Sequence, residues 1–158
     1  NRGALFYRQT RVGKRGEEFE IIKFRTMVKD AEKHGAQFAS KHDARITLFG
    51  KFLRKTRIDE IPQFLNVLRG EMSFIGPRPE RPYFVKELSK SISFYEIRHS
   101  IKPGLTGWAQ VSTKYGECEE DSLTKLQYDL YYIKHRGMFL DLRIILKTMS
   151  TVIFFRGQ

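Results

Sequence analysis

A chain of 158 residues, 41% hydrophobic with 13 Phe, can build one folded core and lacks the composition of a disordered segment. One cysteine excludes an internal disulfide framework and a thiolate metal cluster, and four scattered histidines lack the spacing of a zinc site. The net charge of +11 is uneven, with 15 Lys and Arg against 6 Asp and Glu in residues 1–58 and 14 against 12 in residues 59–158, which points to an anionic partner: phosphate, nucleic acid or an acidic membrane surface.

No uninterrupted apolar run reaches the ~18 residues of a spanning helix, and no signal peptide opens the chain. Residues 1–158 read as a single domain from the later part of a longer protein, without repeats or low-complexity linkers.

Aromatic and β-branched runs at 5–7 and 19–24 flank Gly13-Lys14-Arg15-Gly16, which predicts a β-hairpin. Alternation along its second strand puts Lys23 and Arg25 on one face. Two cations on a rigid strand suit a phosphate; a solvated hairpin face explains them equally well. Residues 28–36 read as a short polar helix and 37–46 as a loop.

Residues 50–79 are the most informative stretch. Phe49, Phe52 and Leu53 form an apolar stripe, with Lys51, Arg54 and Lys55 projecting elsewhere. After a break, Ile61, Phe64, Leu65 and Leu68 recur at helical spacing. A second helix is therefore expected, with Asp59 as N-cap, Pro62 in its first turn and Gly70 past its end. Asp59 and Glu60 then sit at the positive end of a helix, just behind Arg54, Lys55 and Arg57. Capping alone explains the acids from this window; a reaction centre is the competing explanation. Gly76-Pro77-Arg78-Pro79 predicts a stiff turn, in which Arg78 is either fixed for bidentate phosphate recognition or incidental.

Residues 80–90 read as a helix. Residues 102–110 (KPGLTGWAQ) are either a packed turn or a loop whose Trp108 ring and Gln110 amide touch a ligand. An exposed loop is expected over 112–118, then a helix over 119–135 with Leu126, Leu130 and Ile133 inward. In a last helix from 138 to about 155, Phe139, Leu142, Ile145, Leu146, Met149, Val152 and Ile153 share one face. Asp141, Arg143, Lys147, Thr148, Ser150 and Thr151 lie opposite. Ile144, Phe154 and Phe155 fall outside the stripe, which leaves more apolar surface than one core uses. A helix lying at a bilayer surface has this character, as does a core helix with a partner contact. The expected fold is α+β: a mainly helical small domain with an N-terminal β-hairpin and amphipathic interfacial helices.

In order along the chain, residues 6–13 (FYRQTRVG), 23–27 (KFRTM), 50–54 (GKFLR), 59–63 (DEIPQ), 66–70 (NVLRG), 72–79 (MSFIGPRP), 103–111 (PGLTGWAQV) and 128–135 (YDLYYIKH) carry a resemblance. Together they resemble the bacterial sugar transferases, the monotopic phosphoglycosyl transferases that load a sugar phosphate onto a polyprenyl phosphate. Any one piece alone is weak; the ordered set, covering almost the whole chain, is specific. The resemblance implies that Asp59 attacks the sugar-linked phosphorus of a UDP-sugar, that UMP leaves, and that a phosphosugar-aspartyl intermediate passes to undecaprenyl phosphate. It implies Mg²⁺ on Glu60, with Asp59 beside it. The candidate phosphate and substrate ligands are Lys23, Arg25, Arg54, Arg78, Lys102 and Gln110.

The same resemblance implies a catalytic domain on the cytoplasmic face of the bacterial inner membrane. The implied pathway step is the first membrane step of exopolysaccharide, capsule, O-antigen or glycoprotein glycan synthesis. The family's membrane-inserted helix, which lies ahead of the hairpin, is expected outside these residues. Three departures stand out. Lys102 stands where the family has Arg, which keeps the charge without the bidentate fork. Arg57-Ile58 replaces a common Ser-Leu pair and adds a cation beside the acids. Ser112-Thr113-Lys114-Tyr115 follows the GWAQV-like motif in place of an Arg-Asn pair.

Two rival functions fit parts of the sequence. A basic nucleic-acid-binding module would stack bases on Phe6, Tyr7, Phe19 and Phe24. The acid pair amid the bases and the absence of a recognisable binding motif count against it, so no nucleic acid is expected as a partner. An inactive membrane-surface adaptor would use the last helix alone.

Overall fold

The computed structural model describes residues 4–31, 33, 43–113 and 119–153. Alternating residues build the expected hairpin: β1 (Phe6–Val12) and β2 (Glu18–Phe24) pair antiparallel, with Tyr7 opposite Lys23. Val12, Ile21 and Ile22 are its buried side chains. The chain then doubles back, and Met27 bridges Ile46. Residues 29–31 and 33 are turns where the sequence suggests a polar helix over 28–36, and residues 32 and 34–36 lie outside the described residues. Arg45 explains the difference, because it grips both Asp43 oxygens and the Ala31 carbonyl and so offers this segment bonds outside a helix. Residues 37–42 of the loop expected over 37–46, most of that expected over 112–118, and Phe154 and Phe155 lie outside the described residues.

Thr47 caps α1 (Leu48–Thr56) through a hydroxyl that accepts from the Gly50 N–H. Gly50 also lets α1 press against the hairpin's exit, since a Cβ there would collide with the Thr26 carbonyl. The helix ends at Arg57, whose backbone is left-handed (φ 60). A 3-10 turn over Ile58–Gln63 follows, then α2 (Phe64–Leu68), which Gly70 ends at φ 77. Asp59 is therefore inside a 3-10 turn and is not an N-cap. Pro62 helps to set this, because it has no N–H to give the carbonyl four residues back.

The apolar stripes point the other way from a core reading. Leu53 is buried, but Phe49, Phe52, Ile61, Phe64, Leu65 and Leu68 are exposed. A polar residue anchors α2 instead. Asn66 is wholly buried, accepts from the Ile22 N–H and donates to the Glu20 carbonyl and to Glu71.

β3 (Ser73–Ile75) and β4 (Gly104–Thr106) form a parallel pair that the sequence did not suggest. At three residues each they are too short to show a period. α3 (Pro82–Ser91) begins at a proline, which fits a helix's first position. A further 3-10 segment, Tyr95–Ser100, contributes Tyr95 to a buried cluster with Ile92 and Leu126, flanked by Val85, Leu88 and Leu130. α4 (Trp108–Ser112), α5 (Glu119–His135) and α6 (Met138–Ile153) complete the described chain. Trp108 packs on Tyr128 and Tyr131 of α5.

α6 turns its apolar stripe outward, as a helix at a surface would, and not into the core. Ile144, outside the predicted stripe, is 0% exposed, whereas Phe139 is 86% exposed and Leu142, Leu146 and Met149 are more than half exposed. The polar side supplies inward contacts: Thr148 bonds Thr106, and Asp141 accepts from the Tyr132 hydroxyl. The class is α+β and mainly helical, as expected. No described helix is long and apolar enough to cross a membrane.

Candidate active site

Four elements converge on the acid pair. β2 delivers Lys23, the end of α1 delivers Arg54 and Arg57, the proline turn delivers Arg78, and α4 delivers Gln110. Glu60 Oε1 accepts from Arg78 Nη2 at 2.8 Å and lies 3.4 Å from Lys23 Nζ. Its Oε2 lies 3.4 Å from Arg57 Nη1. Burial opposes ionisation of Glu60, but Arg78, Lys23 and Arg57 overcome it and hold the carboxyl well below the usual carboxylate range. Burial likewise pulls Lys23 down, to about 8, against the attraction of Glu60.

Asp59 is treated differently. It is 8% exposed, and its Oδ1 is buried with no hydrogen-bond partner. Burial and the neighbouring Glu60 charge raise its pKa, while Lys23, Arg54 and Arg57 pull it back. Arg54 donates to the Thr26 hydroxyl at 3.0 Å, which fixes its stem beside Asp59. Lys23, Arg54, Arg57 and Arg78 thus surround two carboxylates. The surplus positive charge suits a phosphate.

The turn that carries Arg78 is clamped carbonyl by carbonyl. Pro77 accepts from the Gly104 N–H, Arg78 from Arg98 Nη2, Pro79 from Arg11 Nη1 and Glu80 from the Val12 N–H. Arg98 is itself held by Asp129 at 2.8 Å and the Tyr95 hydroxyl at 2.7 Å, all three buried. With Gln110 Oε1 accepting from its Nη1 at 3.1 Å, the Arg78 guanidinium has one place to be.

The structure gathers Asp59, Glu60, Lys23, Arg54, Arg78 and Gln110. It places two further candidates elsewhere. Arg25 donates to the Ala4 carbonyl and stacks over Tyr7, because the strand ends at Phe24 and its side chain follows the chain's start. Lys102 is exposed, with its ammonium beside Gly70 at the end of α2. Arg57, noted in the sequence as an added cation beside the acids, does reach Glu60, and Arg11 and Arg98 support the site's elements beyond the sequence candidates. Arg11 was within reach of pattern reading, since period-2 alternation puts it on the Tyr7 face, opposite Lys23's strand. Arg98 carried no local signal, because its partners Arg78 and Asp129 are 20 and 31 residues away.

Asp59 and Glu60 could supply part of a divalent cation's ligands. A carboxylate offers about four lone-pair sites; Glu60 has given three to cations, and Asp59 Oδ1 has given none. No group of three or more His, Cys, Asp and Glu is placed to hold a metal among the described residues. Two acids supplemented by substrate phosphates and water fit Mg²⁺, which is commonly held that way.

Known proteins are similar to the chain over almost its whole length. Over 151 residues, or 96% of this chain, it is 48% identical to the UDP-N-acetylgalactosamine-undecaprenyl-phosphate N-acetylgalactosaminephosphotransferase of Aeromonas hydrophila. Over 154 residues it is 47% identical to the UDP-glucose:undecaprenyl-phosphate glucose-1-phosphate transferase of Xanthomonas campestris pv. campestris. The chain spans 36% and 32% of those two proteins' lengths. It covers 72% of the uncharacterized sugar transferase EpsL of Bacillus subtilis, at 35% identity. The family described as bacterial sugar transferase matches residues 1–155, nearly the whole chain and every side chain of the cluster around Asp59, and the chain belongs to that family.

Proposed function

We propose that the protein transfers a sugar 1-phosphate from a UDP-sugar to a polyprenyl phosphate such as undecaprenyl phosphate, at the cytoplasmic face of a bacterial membrane. The observation that carries this reading is the buried Asp59 carboxylate, whose Oδ1 has no hydrogen-bond partner, beside a Glu60 already neutralised by three cations. The relatives' names supply the donor and acceptor classes.

A carboxylate is a weak nucleophile and phosphate oxygens repel it, so positive charge must lie at the phosphorus. Arg78, Lys23 and Arg54 are placed to supply it. The Asp59 carboxylate forms a bond to the sugar-linked phosphorus, and the bond to the bridging oxygen breaks, leaving with UMP. An oxygen of the acceptor phosphate then displaces Asp59 from that phosphorus and regenerates the carboxylate. Glu60 and Asp59 would hold Mg²⁺, which when bound draws charge from the diphosphate oxygens. The exposed apolar faces of α1, α2 and α6 would meet the membrane, where the lipid acceptor resides.

The direct test is UMP release by the full-length protein in detergent, over a panel of UDP-sugars with and without Mg²⁺, together with mass spectrometry of a phosphosugar adduct. No release from any donor sinks the reading. The pH profile adds a second check. Lys23 is charged below about 8 and neutral above it, so one of the three cations on Glu60 is lost as pH rises through that value. Release is expected to fall on that alkaline limb. In Lys23→Arg, which stays protonated throughout, the limb should move upward by a unit or more.

A further inference from the structure

Arg57 is built unlike the other cations of the cluster. Arg78 is locked by Gln110 and by its clamped turn, and Lys23 stands on a strand. Arg57 occupies the single residue between α1 and the 3-10 turn, in the left-handed region at φ 60 and ψ 11. Its N–H reaches the Arg54 carbonyl, and its own carbonyl accepts from the Glu60 N–H. A residue with a Cβ takes that conformation at a cost, and only where surroundings hold it there.

The side chain that this backbone aims lands on Glu60 Oε2. Arg78 and Lys23 both use Oε1, so Oε2 is the oxygen that a further cation would have to approach, and Arg57 Nη1 lies 3.4 Å from it. The contact is mostly shielded, with the Arg57 and Glu60 side chains 21% and 15% exposed, so bulk water screens it poorly. Beside it, Asp59 Oδ1 has no partner. A divalent cation seated between the two acids must therefore take Oε2 from Arg57.

Given the metal-assisted reading above, on which this rests, we infer that Arg57 competes with the divalent cation for Glu60 Oε2. The free protein then holds the metal weakly. The diphosphate of a nucleotide sugar offers Arg57 another anion and releases Oε2, which couples the two ligands.

The test uses Mn²⁺ as the probe, titrated by the loss of its free electron paramagnetic resonance signal, on full-length protein in detergent without donor. Arg57→Gly removes the guanidinium and suits a left-handed backbone, so folding is preserved; Arg57→Asn is the second variant, since asparagine tolerates the same region. Both are expected to bind Mn²⁺ at least about fivefold more tightly than wild type. Lys55→Gln, which removes an exposed charge from the same helix end, should stay within about twofold. Wild-type affinity in Arg57→Gly overturns the competition while leaving the metal reading intact. An equal gain in Lys55→Gln also overturns it, because bulk charge would then be the cause. Mn²⁺ binding to none of the proteins overturns the metal reading and the inference together.

Discussion

Asp59→Asn is expected to lower UMP release by on the order of 10³-fold or more and to leave the protein at least as stable as wild type. The first half follows from chemistry, because an amide cannot form the acyl phosphate that splits the transfer into two displacements. The second half follows from the site's electrostatics. Burial and Glu60 raise the Asp59 pKa above its unfolded value. The folded state therefore holds the proton more strongly than the unfolded one, and stability falls as pH rises through the two values. At neutral pH the ionised Asp59 costs stability, and a neutral isostere removes that cost. The buried Oδ1 has no donor to lose. Thermal unfolding and UMP release on the same preparations check both halves, and peptide mapping of trapped adduct should find it at residue 59 only in wild type. Release that survives the substitution refutes Asp59 as nucleophile. A large fall in melting temperature would instead mean that Asp59 is a structural acid.

How much of this was legible in the sequence varies with the range of the forces involved. The hairpin was readable because its period of two and its turn residues are local, and the same period places Lys23 correctly. α5 was readable from Leu126 and its neighbours, which do face the core. The apolar stripes of α1, α2 and α6 were readable as stripes, but their direction was not. A period records which residues share a face, and says nothing of whether that face meets a core. Phe49, Phe52, Leu65 and Phe139 face outward because Gly50 and Leu53, Asn66, and Thr148 and Asp141 make the inward contacts of α1, α2 and α6. The acid pair was found, but capping was the wrong account of its local role, since Arg57 and Pro62 impose a 3-10 turn there. Lys102 and Arg25 share the charge of the residues gathered around Asp59 and Glu60, and only tertiary placement separates them.

Arg98 supplies the second large expectation. Arg98→Met should cost about 3–5 kcal/mol of folding stability, because it strands Asp129, which is 2% exposed, as a buried charge without a partner. Such a loss alone does not distinguish a core support from a residue that serves the site. The double variant Arg98→Met, Asp129→Leu does. With both charges gone the core becomes apolar, and much of the stability should return, since replacing a buried ion pair by well-packed hydrophobic groups is often neutral or favourable. The Arg78 carbonyl, however, still lacks the donor that Arg98 gave it at 2.9 Å. The proline turn then loses one of its four clamps, and the guanidinium over Glu60 loses its fixed mount. A misplacement on that scale should lower kcat of UMP release about tenfold or more while changing KM less, because a loosened Arg78 loses most where charge develops. Denaturant midpoints and steady-state rates on the single and double variants make the measurement. A double variant that regains both stability and wild-type kcat would reduce Arg98 to a packing role. Recovered stability with a lost rate places it as the residue that aims Arg78.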